Sequence, residues 1–238
     1  MRVSRVASAF VLAIVRRGLS SSLLGARLYE RQLGRPYIIG CDEAGRGPLA
    51  GPVVVAAVCC LPGKSNFVIS EADDSKKLSS EARKTIYSTI ISRPDQFAYA
   101  ISIIDNEEID KVNILQATLK GMTECITSLV SNLGVASEEC AAIIDGNKTP
   151  PQLKLSARPL VKGDALCYSV ALASCMAKHV RDEMMIKYHI EYPLYGFARH
   201  KGYPTKEHQR LIHLHGPCPI HRMSFAPLKG RFPPSENP

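Results

Sequence analysis

Aspartate and glutamate are missing from the first 29 of the 238 residues. Five arginines stand there instead, Arg2, Arg5, Arg16, Arg17 and Arg27, so the net charge of +8 is unevenly spread. Past that segment 25 basic residues face 22 acids, an excess of three. Whole-chain basicity is therefore weak grounds for nucleic-acid binding. Long hydrophobic runs are missing too. The longest uncharged stretch, 17 residues between Arg46 and Lys64, is broken by Pro48, Gly51, Pro52, Pro62 and Gly63. A membrane helix needs about 20 unbroken apolar residues, so no membrane span is expected. Internal repeats and low-complexity blocks are absent after the first 29 residues. With 45% hydrophobic and 22% charged residues, the composition excludes a largely disordered chain, a collagen-like repeat and a coiled coil. A domain near this length buries roughly 70% of its unfolded surface and needs no disulfide or metal to fold.

None of the eight cysteines forms a C-x-x-C pair. Several lie in apolar runs, which fits buried free thiols in a reducing compartment. A disulfide framework is not expected in a domain this large. His213, His215, Cys218 and His221 cluster without two paired ligand spacings, so zinc is not expected either.

The acid-free segment reads as an address. It carries Ser4, Ser8, Ser20, Ser21 and Ser22, and its residues 7–15 would give a helix an apolar face. These are marks of a mitochondrial or plastid transit peptide, here placed over residues 1–34. A secretory signal is the rival, with residues 9–15 as its core. Arg16-Arg17 directly after so short a core, and the lack of a small-residue cleavage site, count against it. A disordered tail is the third reading. The folded domain is expected over residues 35–228, followed by a proline-rich disordered tail over 229–238.

Apolar β-branched runs predict strands over 37–41, 53–61, 97–104 and 141–144. Helical patterns cover 79–91, 114–130, 165–185 and 207–215. The second places Ile114, Ala117, Thr118, Gly121, Met122, Cys125, Ile126 and Leu129 on one face. Asp164 stands where the long third helix would take its N-cap. Strands followed by helices suggest an α/β layer fold.

Placement of acids gives the first chemical clue. Asp42 and Glu43 end one apolar strand and Asp145 ends another. Neighbouring strands lie about 4.8 Å apart, so acids at their ends can converge. Ligands of open α/β sheets bind outside the carboxyl ends of strands. Clustered carboxylates repel one another unless a cation neutralises them, and hard oxygen ligands select magnesium or manganese over zinc. Read singly, each acid is equally an ordinary turn residue, and Asp164 a helix cap. Gly45-Arg46-Gly47-Pro48 follows the first acids. It is neither a P-loop nor a dinucleotide fingerprint. Its glycines would let backbone approach a sugar or phosphate closely, or simply make a tight turn.

The run Gly40-Cys41-Asp42-Glu43-Ala44-Gly45-Arg46-Gly47-Pro48-Leu49-Ala50-Gly51-Pro52-Val53 resembles the opening motif of ribonuclease HII, the type 2 ribonuclease H family. Further segments resemble that family in order: Asp74 to Leu78, Asn113 to Thr118, Asp145-Gly146, Lys162 to Ala165, Ala173 to Asp182, Tyr195 to Thr205, and His221 to Phe225. Together they span residues 36–228. Met176 and Cys175 stand where branched aliphatics are usual, and Leu194 where a glycine is common. The style is that of the bacterial single-chain form, here with an organellar leader. A C-terminal clamp-binding peptide of the form Q-x-x-[IL]-x-x-[FY]-[FY] is not seen.

The resemblance implies a ribonuclease H-like mixed sheet flanked by helices, with a C-terminal helical extension. It implies a monomeric endonuclease that cuts RNA in RNA/DNA hybrids and at single ribonucleotides embedded in duplex DNA, leaving 5′-phosphate and 3′-hydroxyl ends. Asp42, Glu43, Asp145 and Asp164 would be the catalytic carboxylates and the ligands of two Mg2+ or Mn2+ ions. Gly45, Arg46, Gly47 and Tyr203 would read the 2′-hydroxyl and the following sugar, and Ser75 and Lys76 would contact phosphates. With the leader, the site of action would be the mitochondrial or plastid matrix. Two rivals stand beside this: another two-metal nuclease on the same fold, such as a junction resolvase or integrase core, and a non-catalytic hybrid-binding module.

Overall fold

The computed structural model describes residues 30–63, 69 and 78–231. Residues 1–29 of the expected leader, Ser75, Lys76 and residues 232–238 lie outside the described residues. Five strands, β1 (Tyr37–Ala44), β2 (Val53–Cys60), β3 (Phe97–Ile104), β4 (Cys140–Asp145) and β5 (Ser156–Leu160), form one sheet in the order β3-β2-β1-β4-β5. The first three are antiparallel neighbours, whereas β4 and β5 run parallel to β1. The helices are α1 (Ser80–Ser92), α2 (Asn106–Val112), α3 (Ile114–Leu133), α4 (Gly163–Leu166), α5 (Tyr168–Glu191), α6 (Phe197–His200) and α7 (Lys206–His215). Among the described residues no helix is long and apolar enough to cross a membrane.

Helices cover both faces of the sheet, which is why β2 reads as a continuous apolar run rather than an alternating one. Val54, Ala56 and Val58 meet Ile86 and Ile90 of α1 and Leu172 and Met176 of α5. Val55, Ala57 and Cys59 face Met122, Cys125, Ile126 and Leu129 of α3. Seven of the eight residues expected on the inner face of α3 are buried there, all but Ile114. On the other face α5 lies against the β1 backbone. A Cβ on Gly40 would come within 2.1 Å of the Ser169 carbonyl carbon, so only glycine permits that approach. All eight cysteines are free, and seven are buried.

Several expectations are corrected. The long helix does not begin at Ala165 with Asp164 as its cap. Cys167 takes an extended conformation and splits the segment into α4 and α5, leaving Asp164 in the first turn of α4. The N-terminus of α5 is instead closed by Glu30, whose Oε1 accepts from the Ser169 N–H at 2.6 Å. β1 runs three residues beyond Cys41, because its ladder with β2 continues to the pair Ala44–Val54. β5 and α2 were not expected at all. β5 is a short, mostly exposed edge strand containing Pro159, and it lacks the apolar pattern that marks a strand.

The C-terminal extension forms its own core beside the loop that follows β1. Leu49 and Ala50 pack there with Met185, Phe197, Leu211 and Ile220. The Leu49 N–H donates to the Gly202 carbonyl, the Gly51 N–H to the Ile220 carbonyl, and the Arg222 N–H to the Leu49 carbonyl. The extension is thus laced to the Gly45–Pro52 loop by main-chain bonds.

Candidate active site

Parallel pairing delivers the acids. The last paired residues of β1 and β4 are Cys41 and Ile144, and one step further stand Asp42 and Asp145. Glu43 follows, paired with Val55 of β2. Asp42 is 5% exposed. One of its oxygens accepts the Glu43 N–H at 2.7 Å, and the Ser174 hydroxyl of α5 also bonds to it. Burial, then the charges of Glu43 and Asp145, hold the Asp42 carboxyl well above the ordinary carboxylate range. Burial raises Glu43 too, against the opposing pull of the Arg46 guanidinium at 3.2 Å. The second oxygen of Glu43, Oε2, is buried without a hydrogen-bond partner. An oxygen of Asp145 accepts the Gly163 N–H at 2.7 Å, which draws α4 to the end of β4. Asp164 comes next in α4 and is 8% exposed.

The charges acting on Asp42 are therefore those of Glu43 and Asp145, with Asp164 one residue from the Asp145 contact. Among the described residues no three acids, histidines or cysteines are closed into a ready metal cage. Like charges stand apart, and Asp145 has a backbone donor to face. The donor set fits a hard divalent cation nonetheless: all oxygen, mutually repelling, with one buried carboxylate oxygen unsatisfied.

The glycine loop leads straight out of this corner. Gly45 has φ +103°, and a Cβ there would sit 2.1 Å from Arg181 Nε, so a side chain is excluded twice over. Gly47 faces Tyr203: a Cβ would lie 3.8 Å from the ring edge at Cε1. The Tyr203 ring is 41% exposed, with Lys178 Nζ 5.7 Å and Arg181 Cζ 5.9 Å from its centroid. Three of the four acids, the glycine loop and Tyr203 are thus linked through neighbouring contacts. Ser75 and Lys76 lie outside the described residues.

Sequence reasoning missed the groups behind these. Arg181 and Arg222 are fully buried and reach the glycine loop from beneath. His208 and His221, also buried, hold the other side. The Cys218 N–H donates to His221 Nδ1 at 2.9 Å, which makes Nε2 the protonated nitrogen of that ring. It donates to His208 Nε2 at 3.1 Å, and His208 Nδ1–H then donates to the Tyr203 carbonyl at 3.0 Å. Burial pushes the two rings down to about 4 and about 3, which keeps the relay neutral. Arg181 and His221-Arg222 lie in segments that carried the family resemblance, but only their partners reveal a role.

Comparison with known proteins decides the family. The ribonuclease HII family model matches residues 39–228. The chain belongs to the ribonuclease HII family. It is 47% identical over 192 residues to the ribonuclease HII of Xanthomonas axonopodis pv. citri, covering 81% of this chain and 75% of that one. The ribonuclease HII of Chlorobium phaeovibrioides is 45% identical over 203 residues, covering 83% of this chain and 94% of its own. Two solved structures share the fold. Ribonuclease H2 from Pyrococcus horikoshii aligns with a TM-score of 0.61 at 22% identity, over 81% of this chain and 95% of its own. Bst-RNase HIII in complex with Mn2+ aligns at 0.65 and 24%, over 88% and 72%. As a ribonuclease HII, the chain is a ribonuclease H, an endonuclease.

Proposed function

We propose that this ribonuclease HII cleaves at single ribonucleotides embedded in duplex DNA, as well as in RNA/DNA hybrids, with two Mg2+ or Mn2+ ions held by Asp42, Glu43, Asp145 and Asp164. The observation that carries the reading is the unpartnered Glu43 Oε2 among acids that raise one another's proton affinity, two residues from a glycine loop that faces Tyr203. Bound there, the ions would supply an activated water and stabilise the leaving 3′-oxygen. The chain's own groups do the rest. Ser174 and the Glu43 amide orient Asp42. Arg46 steadies one oxygen of Glu43 and leaves the other for a ligand. The backbone of Gly45, Arg46 and Gly47 meets the ribose, since the 2′-hydroxyl is what separates RNA from DNA. Tyr203 stacks on the sugar that follows, where a second 2′-hydroxyl would clash, so an RNA-to-DNA step is favoured. Ser75 and Lys76 contact phosphates. The product ends are 5′-phosphate and 3′-hydroxyl. The enzyme acts as a monomer, and residues 1–34 direct it to mitochondria or plastids.

The test is metal-dependent cleavage of three substrates: a duplex with one ribonucleotide, the same duplex all-DNA, and a four-way junction. Incision beside the ribonucleotide alone, with Mg2+ or Mn2+, is the expected result. Incision of the junction, or no metal-dependent incision of the ribonucleotide duplex, overturns the reading.

A further inference from the structure

Arg222 is a buried cation. Its side chain is fully enclosed, and among the described residues it makes no ion pair. Three carbonyls of the glycine loop satisfy it instead. Nη2 donates to Gly45 at 2.6 Å, Nη1 to Arg46 at 3.1 Å and Nε to Gly51 at 2.9 Å. Arg181 grips the far end of the same loop, donating to the carbonyls of Ala50 and Pro52, and its Nη1 reaches Lys201.

A buried guanidinium held by three carbonyls, with the Phe225 ring 5.1 Å from its Cζ and the Asp110 carboxylate acting on it from beyond ion-pair distance, does not release those carbonyls cheaply. Turning over the Gly45–Arg46 or the Arg46–Gly47 peptide would strip it of a bond and aim an N–H at a positive charge. Both peptides are therefore locked. In a trans peptide the N–H points opposite to the C=O. With the Gly45 and Arg46 carbonyls aimed inward at Arg222, the N–H groups of Arg46 and Gly47 aim outward. Neither finds an acceptor among the described residues, and both residues are exposed, with Gly47 beside the Tyr203 ring.

We propose that Arg222 is a positioning residue for ribose selection: it presets the Arg46 and Gly47 amides as two outward donors for the 2′-hydroxyl. This rests on the reading of the site as a ribonucleotide endonuclease. Lysine cannot replace it, because a point charge on a flexible stem does not hold three carbonyls in a planar fork.

The experiment measures equilibrium binding by the full chain, in chelator, of a duplex with one ribonucleotide and of its all-DNA twin. Wild type should favour the ribonucleotide duplex. Arg222→Lys should cut that preference by about tenfold, or ~1.4 kcal/mol. The loss should fall on the ribonucleotide duplex far more than on the all-DNA one, whose binding rests on phosphates. Arg222→Gln, uncharged and able to donate to two of the carbonyls, is a second variant should the lysine protein fail to fold. Leu129→Ala, in the core under the opposite face of the sheet, lowers stability without touching the loop and should keep the preference. Equal binding of both duplexes by wild type overturns the reading of the site, and this proposal with it. A preference kept by Arg222→Lys and Arg222→Gln overturns the positioning role alone. So does an equal loss in Leu129→Ala, which would mark general loosening.

Discussion

Asp42→Asn should stabilise the metal-free protein while ending its activity. Asp42 is buried beside two other acids, and both burial and their charge disfavour its ionised form. Its affinity for a proton is therefore higher in the folded chain than in the unfolded one. Such a group adds stability as pH falls from its folded value toward its unfolded one, about 3.9, and its charge opposes folding above that window. Asparagine is never charged. Its Oδ1 can still accept the Glu43 N–H, so the repulsion is removed and that hydrogen bond is kept. Relief of strain at an active site is typically worth on the order of 1–2 kcal/mol. At about 2–4 °C per kcal/mol for a chain this long, Tm should rise by roughly 2–8 °C. Calorimetry in chelator at pH 7.5 reads the gain. The gain should shrink as pH falls through the raised value of Asp42, where the wild-type carboxyl becomes neutral itself. Mg2+ or Mn2+ should then raise the Tm of wild type and do much less for the variant. Cleavage of the single-ribonucleotide duplex should vanish while duplex binding persists, because binding rests mostly on phosphates. A variant less stable than wild type in chelator at pH 7.5, or one with near-wild-type turnover, would refute the electrostatic account of the site.

Tyr203→Ala should lower kcat/KM on that duplex by roughly 5- to 150-fold, the worth of a sugar or base stack of about 1–3 kcal/mol. Tyr203→Phe keeps the ring and should be much milder, so equal effects of the two would exclude stacking. The buried pair His208 and His221 should make the protein acid-sensitive. Unfolded histidine takes a proton near 6.5 and these rings do not, so stability should fall between pH 7 and pH 5 by about 2 kcal/mol per ring. Urea unfolding of Asp42→Asn, which removes the opposing contribution of Asp42, reads that slope, and a flat profile refutes it. Residues 1–34 fused to a fluorescent reporter should carry it to mitochondria or plastids. A diffuse cytosolic or secreted reporter would contradict the address.

Elements with strong periodicity were legible in the sequence, and so were acids at strand ends. The α3 stripe was read almost residue for residue, because a 20-residue helix on one face of a sheet must repeat its apolar positions. β2 was read within a residue because burial on both faces makes an unbroken apolar run. β5 escaped because an exposed edge strand carries no such pattern. The break at Cys167 escaped because it is tertiary in origin. The Gly163 amide is held by Asp145, and the start of α5 is held by Glu30 from 139 residues upstream. Asp42, Glu43 and Asp145 could be proposed from sequence since parallel strands carry their ends to one place. Arg181, Arg222, His208 and His221 could not, since a buried cation or a neutral histidine relay is defined by its partners and not by its spacing.

Those partners explain how charges of both signs persist so close together. Asp42 and Glu43 lie just before the end of β1 at Ala44, and the chain then passes directly into the loop that Arg181 and Arg222 grip from below. An ion pair between the two sets would be the ordinary way to bury either. It would also saturate the carboxylate oxygens and leave nothing for a divalent cation. The loop prevents it by placing its own backbone between them. Its carbonyls, with that of Lys201, satisfy the guanidiniums, and among the described residues Asp42 and Glu43 form an ion pair with Arg46 alone, which is half exposed and reaches one oxygen of Glu43. The glycines are what make this possible. At Gly45 any Cβ would occupy the space of the Arg181 guanidinium, and the loop could not lie close enough to act as the barrier. One segment of backbone thereby stands between the carboxylates of Asp42 and Glu43 and the two guanidiniums beneath it.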